Sequence, residues 1–352
     1  SNQLLTNSGI SATGSVTFSG NVKIAAGDTA TTLNGDVTLD GVSFEADRNV
    51  TFGNQASDKI TLKKGPVSIS TKANNGNLVF NGLVDGEQNL SLATHGAGSI
   101  DFKTNVGKTA AIGMGTGAAI IINSSKTTFD GTLTANSGIT ATGDVIFKSD
   151  VNLKDGDTPT TLNGNVTLDG LTFSADDGVT FGDVATDKVT LSGGDVTVES
   201  INSAIAFNSK IDGTQDLNVN AGSGNITFNN AVGSNTALGN LTINSGNLLT
   251  ITADADINLA GKLFVQNGVG KVSTGGDITA SSIQFDQGVN LTEKVSFNTS
   301  GSNGAIAFNS TIDGNHNLTL NAGSGSIDFK NNLGTVVSLG NLMIDSGNVN
   351  TS

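Results

Sequence analysis

The sequence predicts an all-β chain folded as a parallel β-helix, a β-solenoid built from short strands. Three observations carry this expectation. Long stretches of the chain occur twice, apolar residues alternate in three-residue cores at short intervals, and the composition favours turns over helices.

The duplication comes first, because a repeat of this length decides the fold class. Residues 8–62 realign without a gap on residues 137–191, an offset of 129. Residues 205–233 (IAFNSKIDGTQDLNVNAGSGNITFNNAVG) return as residues 306–334, an offset of 101, and a looser copy begins at Leu78. The organisation expected from these offsets is a first unit over 1–136, a second over 137–266 and a partial third over 267–352, stacked as one continuous rod.

Each copy is written in apolar-x-apolar cores separated by Gly, Asn, Asp, Ser or Thr. Period-2 alternation makes each core a short strand with one inward face. The expected core residues are Val16, Phe18, Val37, Leu39, Phe44, Val50, Phe52 and Phe102, then Val145, Phe147, Val166, Leu168, Phe173, Val179 and Phe181, then Phe207, Phe228, Phe308 and Phe329. Phe18/Phe147, Phe44/Phe173, Phe52/Phe181 and Phe102/Phe228/Phe329 recur at matched positions, as core residues do. Between cores, Asp40-Gly41, Asp85-Gly86, Asn163-Gly164 and Asp212-Gly213 read as turns.

Composition agrees. Gly at 47 of 352 residues is about twice average usage, and of the 31 acidic residues only Glu45, Glu87, Glu199 and Glu293 are Glu. Asp bonds to nearby backbone and bends chains, whereas Glu favours helices. The competing architecture is a string of β-sandwich domains, which would bring longer strands, hairpins and an anchoring Trp or Tyr. Both residue types are absent.

The charge limits partners. A net charge of −14 repels phosphate backbones and anionic lipid, so nucleic acid is excluded as an expected partner. No apolar run reaches the length of a spanning helix, and no membrane insertion of this segment is expected. Residues 1–20 lack the basic start and apolar middle of a signal peptide, so any targeting signal is expected elsewhere. The absence of cysteine rules out disulfides and thiolate metal sites and is compatible with export.

The Gly/Asn/Asp-rich repeats, with phrases such as GNLTINSG from Gly239 and LNAGSGSIDF from Leu320, resemble bacterial filamentous-haemagglutinin-like and autotransporter-like adhesins with β-strand repeats. The resemblance implies a right-handed β-helix exported to the cell surface, extracellular, with adhesion or biofilm roles. The Asn-Pro-Asn-Gly-type signature of that family's secretion domain is not present. The function expected is therefore structural or adhesive: a rigid stalk, or a protomer that stacks on itself end to end as a filament. The alternative is a module that binds glycan or a host protein through its side loops.

Enzymatic chemistry is disfavoured by the residue inventory. Glycoside cleavage needs converging carboxylates, and lyases also need Arg or Lys. The chain has one arginine, Arg48, whose repeat counterpart is Asp177. Asp47 and the Asp176-Asp177 pair are the nearest to an acid/base group, and they also read as solvated turns. His95 and His316 stand alone, and no cofactor is expected. For calcium, Asp155 and Asp157, and Asp254, Asp256 and Asn258, place oxygen donors at alternate positions as a hard cation requires, without the twelve-residue loop or terminal Glu. The Thr-rich duplicated loops at 26–36 and 155–165 are the longest breaks between cores and the places where a solenoid would carry binding.

Overall fold

A computed structural model describes residues 3–25, 27, 29–154, 156–266 and 270–351. Among them lie 43 β-strands and no helix, and the strands stack in parallel as a β-solenoid of about 16 turns. No helix is long and apolar enough to cross a membrane. The chain forms two compact units, Ser1–Asp177 and Gly178–Ser352. Their boundary falls inside the second sequence copy, because a coil contacts only its neighbours and compactness need not follow sequence copies.

In the first unit three ladders run from coil to coil. One joins Thr31–Leu33, Val50–Phe52, Leu78–Phe80, Ser99–Phe102 and the second half of Ile120–Phe129. A second joins Gln3–Thr6, Asn21–Ile24, Ser43–Ala46, Val67–Thr71 and Leu90–Ala93. The third joins Val16–Phe18, Val37–Asp40, Lys59–Lys63 and Leu83–Asp85. Inward residues pair with inward residues one coil away, as Phe52 does with Phe80, and the register shifts once between Asn123 and Lys126. Partners are as close in sequence as Phe129 and Phe147 or as distant as Leu90 and Ile120. The second unit repeats the plan, with one ladder running through Val179–Phe181, Ile205–Phe207, Ile226–Phe228, Leu248–Ile251, Lys271–Thr274, Gly288–Leu291 and Ile312–Asp313.

The cores pack as their alternation requires. Val50-Thr51-Phe52 turns Val50 and Phe52 fully inward and leaves Thr51 half-exposed. Of the core positions expected from sequence all are buried except Val16, which is half-exposed in the first coils. In-register stacking brings like residues together. Phe52, Phe80, Phe102, Phe129 and Phe147 form a column with ring centroids 4.7–5.2 Å apart and planes within 10°. Phe181, Phe207 and Phe228 form a second column in the other unit. Fifteen of the sixteen phenylalanines are buried, and only Phe264 faces outward.

The Asp-Gly pairs do more than turn the chain. Gly86, Gly213 and Gly314 have φ of 135°, 145° and 126°, and a Cβ on each would lie 2.2–2.4 Å from the carbonyl oxygen of Leu62, Leu191 or Leu291 in the preceding coil. Only glycine satisfies both the backbone angle and this close approach.

The sequence copies do not occupy equivalent faces. Val16–Phe18 belongs to the third ladder of the first unit, whereas its duplicate, Val145 to Phe147, continues the Phe column of the first. In the second unit Ile205–Phe207 pairs with Val179–Phe181, while its duplicate Ile306–Phe308 lies in the ladder of Ser282–Phe285. A residue repeated in sequence therefore does not form a row along one side.

Candidate functional site

The polar side chains have a shared occupation. At the corners, backbone N–H groups turn away from the ladders and need another acceptor. Asp and Asn oxygens supply it from the coil before: Asn49 accepts from the N–H of Asn77, and Asn77 from that of Ser99. In the second unit Asp195, Asp216 and Asn240 accept in turn from the N–H of Asp216, Asn240 and Lys262, at 2.7–3.2 Å. Asp256 and Asp277 continue the pattern to Asp277 and Ser296. In all these pairs the side chain reaches toward the C-terminal neighbour. An Asx carboxamide or carboxylate reaches one rung; the extra methylene of Glu would displace the oxygen, which accounts for the scarcity of Glu.

A stronger version follows each Ile/Val-Asp-Gly. Asp85 Oδ1 accepts from the N–H of Thr109 and Ala110, and Asp313 Oδ1 from those of Val336 and Val337. Asp212 accepts from the N–H of Asn235 (2.8 Å) and Thr236 (3.1 Å) and from the Asn235 amide (2.9 Å). Burial pushes the Asp212 carboxyl up, but these three bonds and the nearby Lys188 outweigh it and hold the group below the ordinary carboxylate value. Asp130 is held low likewise: burial raises it, and Lys148 and Lys103 more than reverse the effect.

The candidates for chemistry are dispersed. Asp47 accepts from the Asn74 amide, and Arg48 donates to the carbonyl of Gly27. Asp176 and Asp177 lie in the bend after Thr172–Ala175. His95 is exposed, and His316 is half-exposed with its backbone hydrogen-bonded to Gly314 and Gly340. Asp155 lies outside the described residues. Asp157 Oδ1 accepts from the Gly117 N–H and the Thr158 hydroxyl. Asp254, Asp256 and Asn258 all face outward, with Asp256 engaged by Asp277 and the Asn258 amide by the Gly233 carbonyl. Among the described residues no three His, Cys, Asp or Glu side chains gather as a metal-binding group.

Of the duplicated loops, Ala26, Asp28 and Asp155 lie outside the described residues. The strands that follow, Thr31–Leu33 and Thr160–Asn163, sit in different ladders. Outward threonines align over three rungs, Thr17, Thr38 and Thr61, before Asp85 interrupts them. The coil at Leu342–Asp345 exposes Leu342, Met343 and Ile344, whereas the duplicate residues Leu241 and Ile243 are fully covered by Lys262–Val265.

Sequence reasoning reads Asp as a turn former and misses its bonds to the next coil, whereas for Asn it expects side-chain amides stacked from coil to coil, of which Asn208 and Asn229 are a pair. It also misses a groove on the second unit around Gly288, described below. No family model, no curated protein and no solved structure matches this chain.

Proposed function

We propose that the chain is a structural and adhesive segment of a bacterial surface protein, an extracellular stalk whose work is mechanical and not catalytic. The observation that carries this reading is the engagement of corner Asp and Asn side chains in bonds between successive coils. Polar groups arranged in this way resist separation of the coils and leave few carboxylates to converge on a substrate. The apolar columns add the same kind of reinforcement inside the bore. The resemblance to exported repeat adhesins supports the surface location. End-to-end association is the filament form of the proposal, and it needs neither cofactor nor nucleic acid.

The test is display of residues 1–352 on a non-adherent bacterial host, with attachment to glycan-coated and protein-coated surfaces measured against an empty display scaffold. The stalk reading expects attachment or greater reach, and a further gain in reach when residues 137–265 are duplicated in frame. Release of reducing ends from a panel of acidic polysaccharides by the purified chain would overturn the non-catalytic part.

A further inference from the structure

We propose that the outer face of the second unit holds a binding groove for an extended peptide segment carrying a carboxylate and, about four residues away, an aliphatic side chain. This goes beyond the stalk reading and does not depend on it.

The groove has a volume of about 420 Å³, within the range of roughly 300–1,000 Å³ typical of ligand sites. Its base is a rank of outward positions on consecutive rungs: Leu248 pairs with Lys271, and Lys271 with Gly288. The groove ends against Val336 and Val337, which are 84% and 43% exposed. Asp313 holds the backbone of both valines and so fixes that wall.

The other copies of the same supersecondary unit show what is special here. Each has a strand paired with the following Ile/Val-Asp-Gly strand, and the position of Gly288 is taken by Lys59 in one and Lys188 in the other. Opposite it, Leu83 and Lys210 stand where this copy has Thr311. The valines replace Thr109-Ala110 and Asn235-Thr236, which take the same two bonds from Asp85 and Asp212. One rung earlier, Lys271 stands where the first copy has Asp36, since Asp36 precedes the Val37–Ile60 pair as Lys271 precedes Val272–Val289. This copy therefore lacks the long side chains that the others carry at these places, has an apolar wall and, against the first copy, bears a cation in place of an anion.

These changes define the occupant. Lys271 makes no ion pair among the described residues, in a chain of net charge −14, so it is a local positive centre for a carboxylate. From the Lys271 rung to the Val336 rung is three steps of about 4.8 Å, roughly 14 Å, which four residues of extended chain at about 3.3 Å each would span. A peptide that places Glu or Asp at Lys271 and Leu, Ile or Val against Val336 and Val337 matches both ends. The groove has no aromatic lining of the kind that would stack a sugar ring.

The test is fluorescence anisotropy of purified residues 1–352 with a labelled peptide, Glu-Ser-Thr-Ser-Leu, acetylated and amidated. Saturable sub-millimolar binding is expected, with a loss of about tenfold or more when Lys replaces the peptide Glu, when Ser replaces its Leu, or in Lys271→Ala. Gly288→Lys is the decisive variant. Gly288 lies outside the left-handed region, and an added Cβ meets the Thr311 hydroxyl at 3.2 Å and the Ser310 hydroxyl and Thr311 carbonyl oxygen at an ordinary 3.8 Å, so the fold should tolerate it. Filling the hollow weakens binding, whereas simple attraction of an acidic peptide would strengthen it. Val336→Asn with Val337→Thr, which restores the residues of the middle copy, provides a second route to the same loss. No saturable binding, unchanged or tighter binding by Gly288→Lys, or displacement of the peptide by acidic oligosaccharide would overturn the assignment.

Discussion

Replacing Phe102 with alanine tests whether the aromatic column holds the coils together. Phe102 is 1% exposed and stacks on Phe80 and Phe129 with centroids 4.7 Å away on both sides. Truncating a buried Phe costs about 3–5 kcal/mol, and losing two ring pairs places this site in the upper half, at about 4–5 kcal/mol. Phe264→Ala is the control, because Phe264 faces outward and should cost no more than about 1 kcal/mol. The chain has no Trp or Tyr, so urea unfolding is followed by far-UV circular dichroism. With a slope of about 2 kcal/mol per molar urea, the Phe102 variant should lose about 2 M in midpoint for the transition of its unit. Because each coil contacts only its neighbours, the transition should also broaden or split. A midpoint for Phe102→Ala within about 0.5 M of that for Phe264→Ala would refute the column as a source of stability.

Other sites give independent tests. Asp212→Ala removes three accepted hydrogen bonds and should lower stability by about 2–3 kcal/mol, against about 1 kcal/mol for Asp212→Asn, which keeps one oxygen facing the two N–H groups; chemical denaturation reads both. Asp212 and Asp130 have folded-state pKa values held below the ordinary value, so their stabilisation is complete above the unfolded pKa near 4 and is lost as pH falls through the lower folded values. Melting temperature should stay level from about pH 7 to 5 and drop below about pH 4, and Asp212→Asn should flatten the drop. Calcium and chelator should leave the melting temperature within about 1 °C of each other, because among the described residues no three acidic or imidazole side chains gather to hold a cation; a saturable rise of several degrees would instead locate a cation site.

Strand identity was legible because inward and outward alternation is local: Val50-Thr51-Phe52 and Ile226-Thr227-Phe228 declare their faces without reference to the rest of the chain. The Asp85-Gly86 and Asp212-Gly213 turns were legible for the same reason. Their further role was not, since the acceptor of Asn235 and Thr236 lies one coil away and coil length varies from one turn to the next. That variation also hid the placement of the copies on different faces, as with Val16 and Val145. The groove at Gly288 was invisible for a different reason. It is made by a missing side chain, and its meaning depends on pairing registers that identify Lys59 and Lys188 as its counterparts.

The stalk reading is tested most directly by negative-stain electron microscopy of purified residues 1–352. Coils that rise about 4.8 Å per turn lead the stalk reading to predict thin, elongated particles, or fibres built from them end to end. Pairs of separate globular beads joined at variable angles would contradict it.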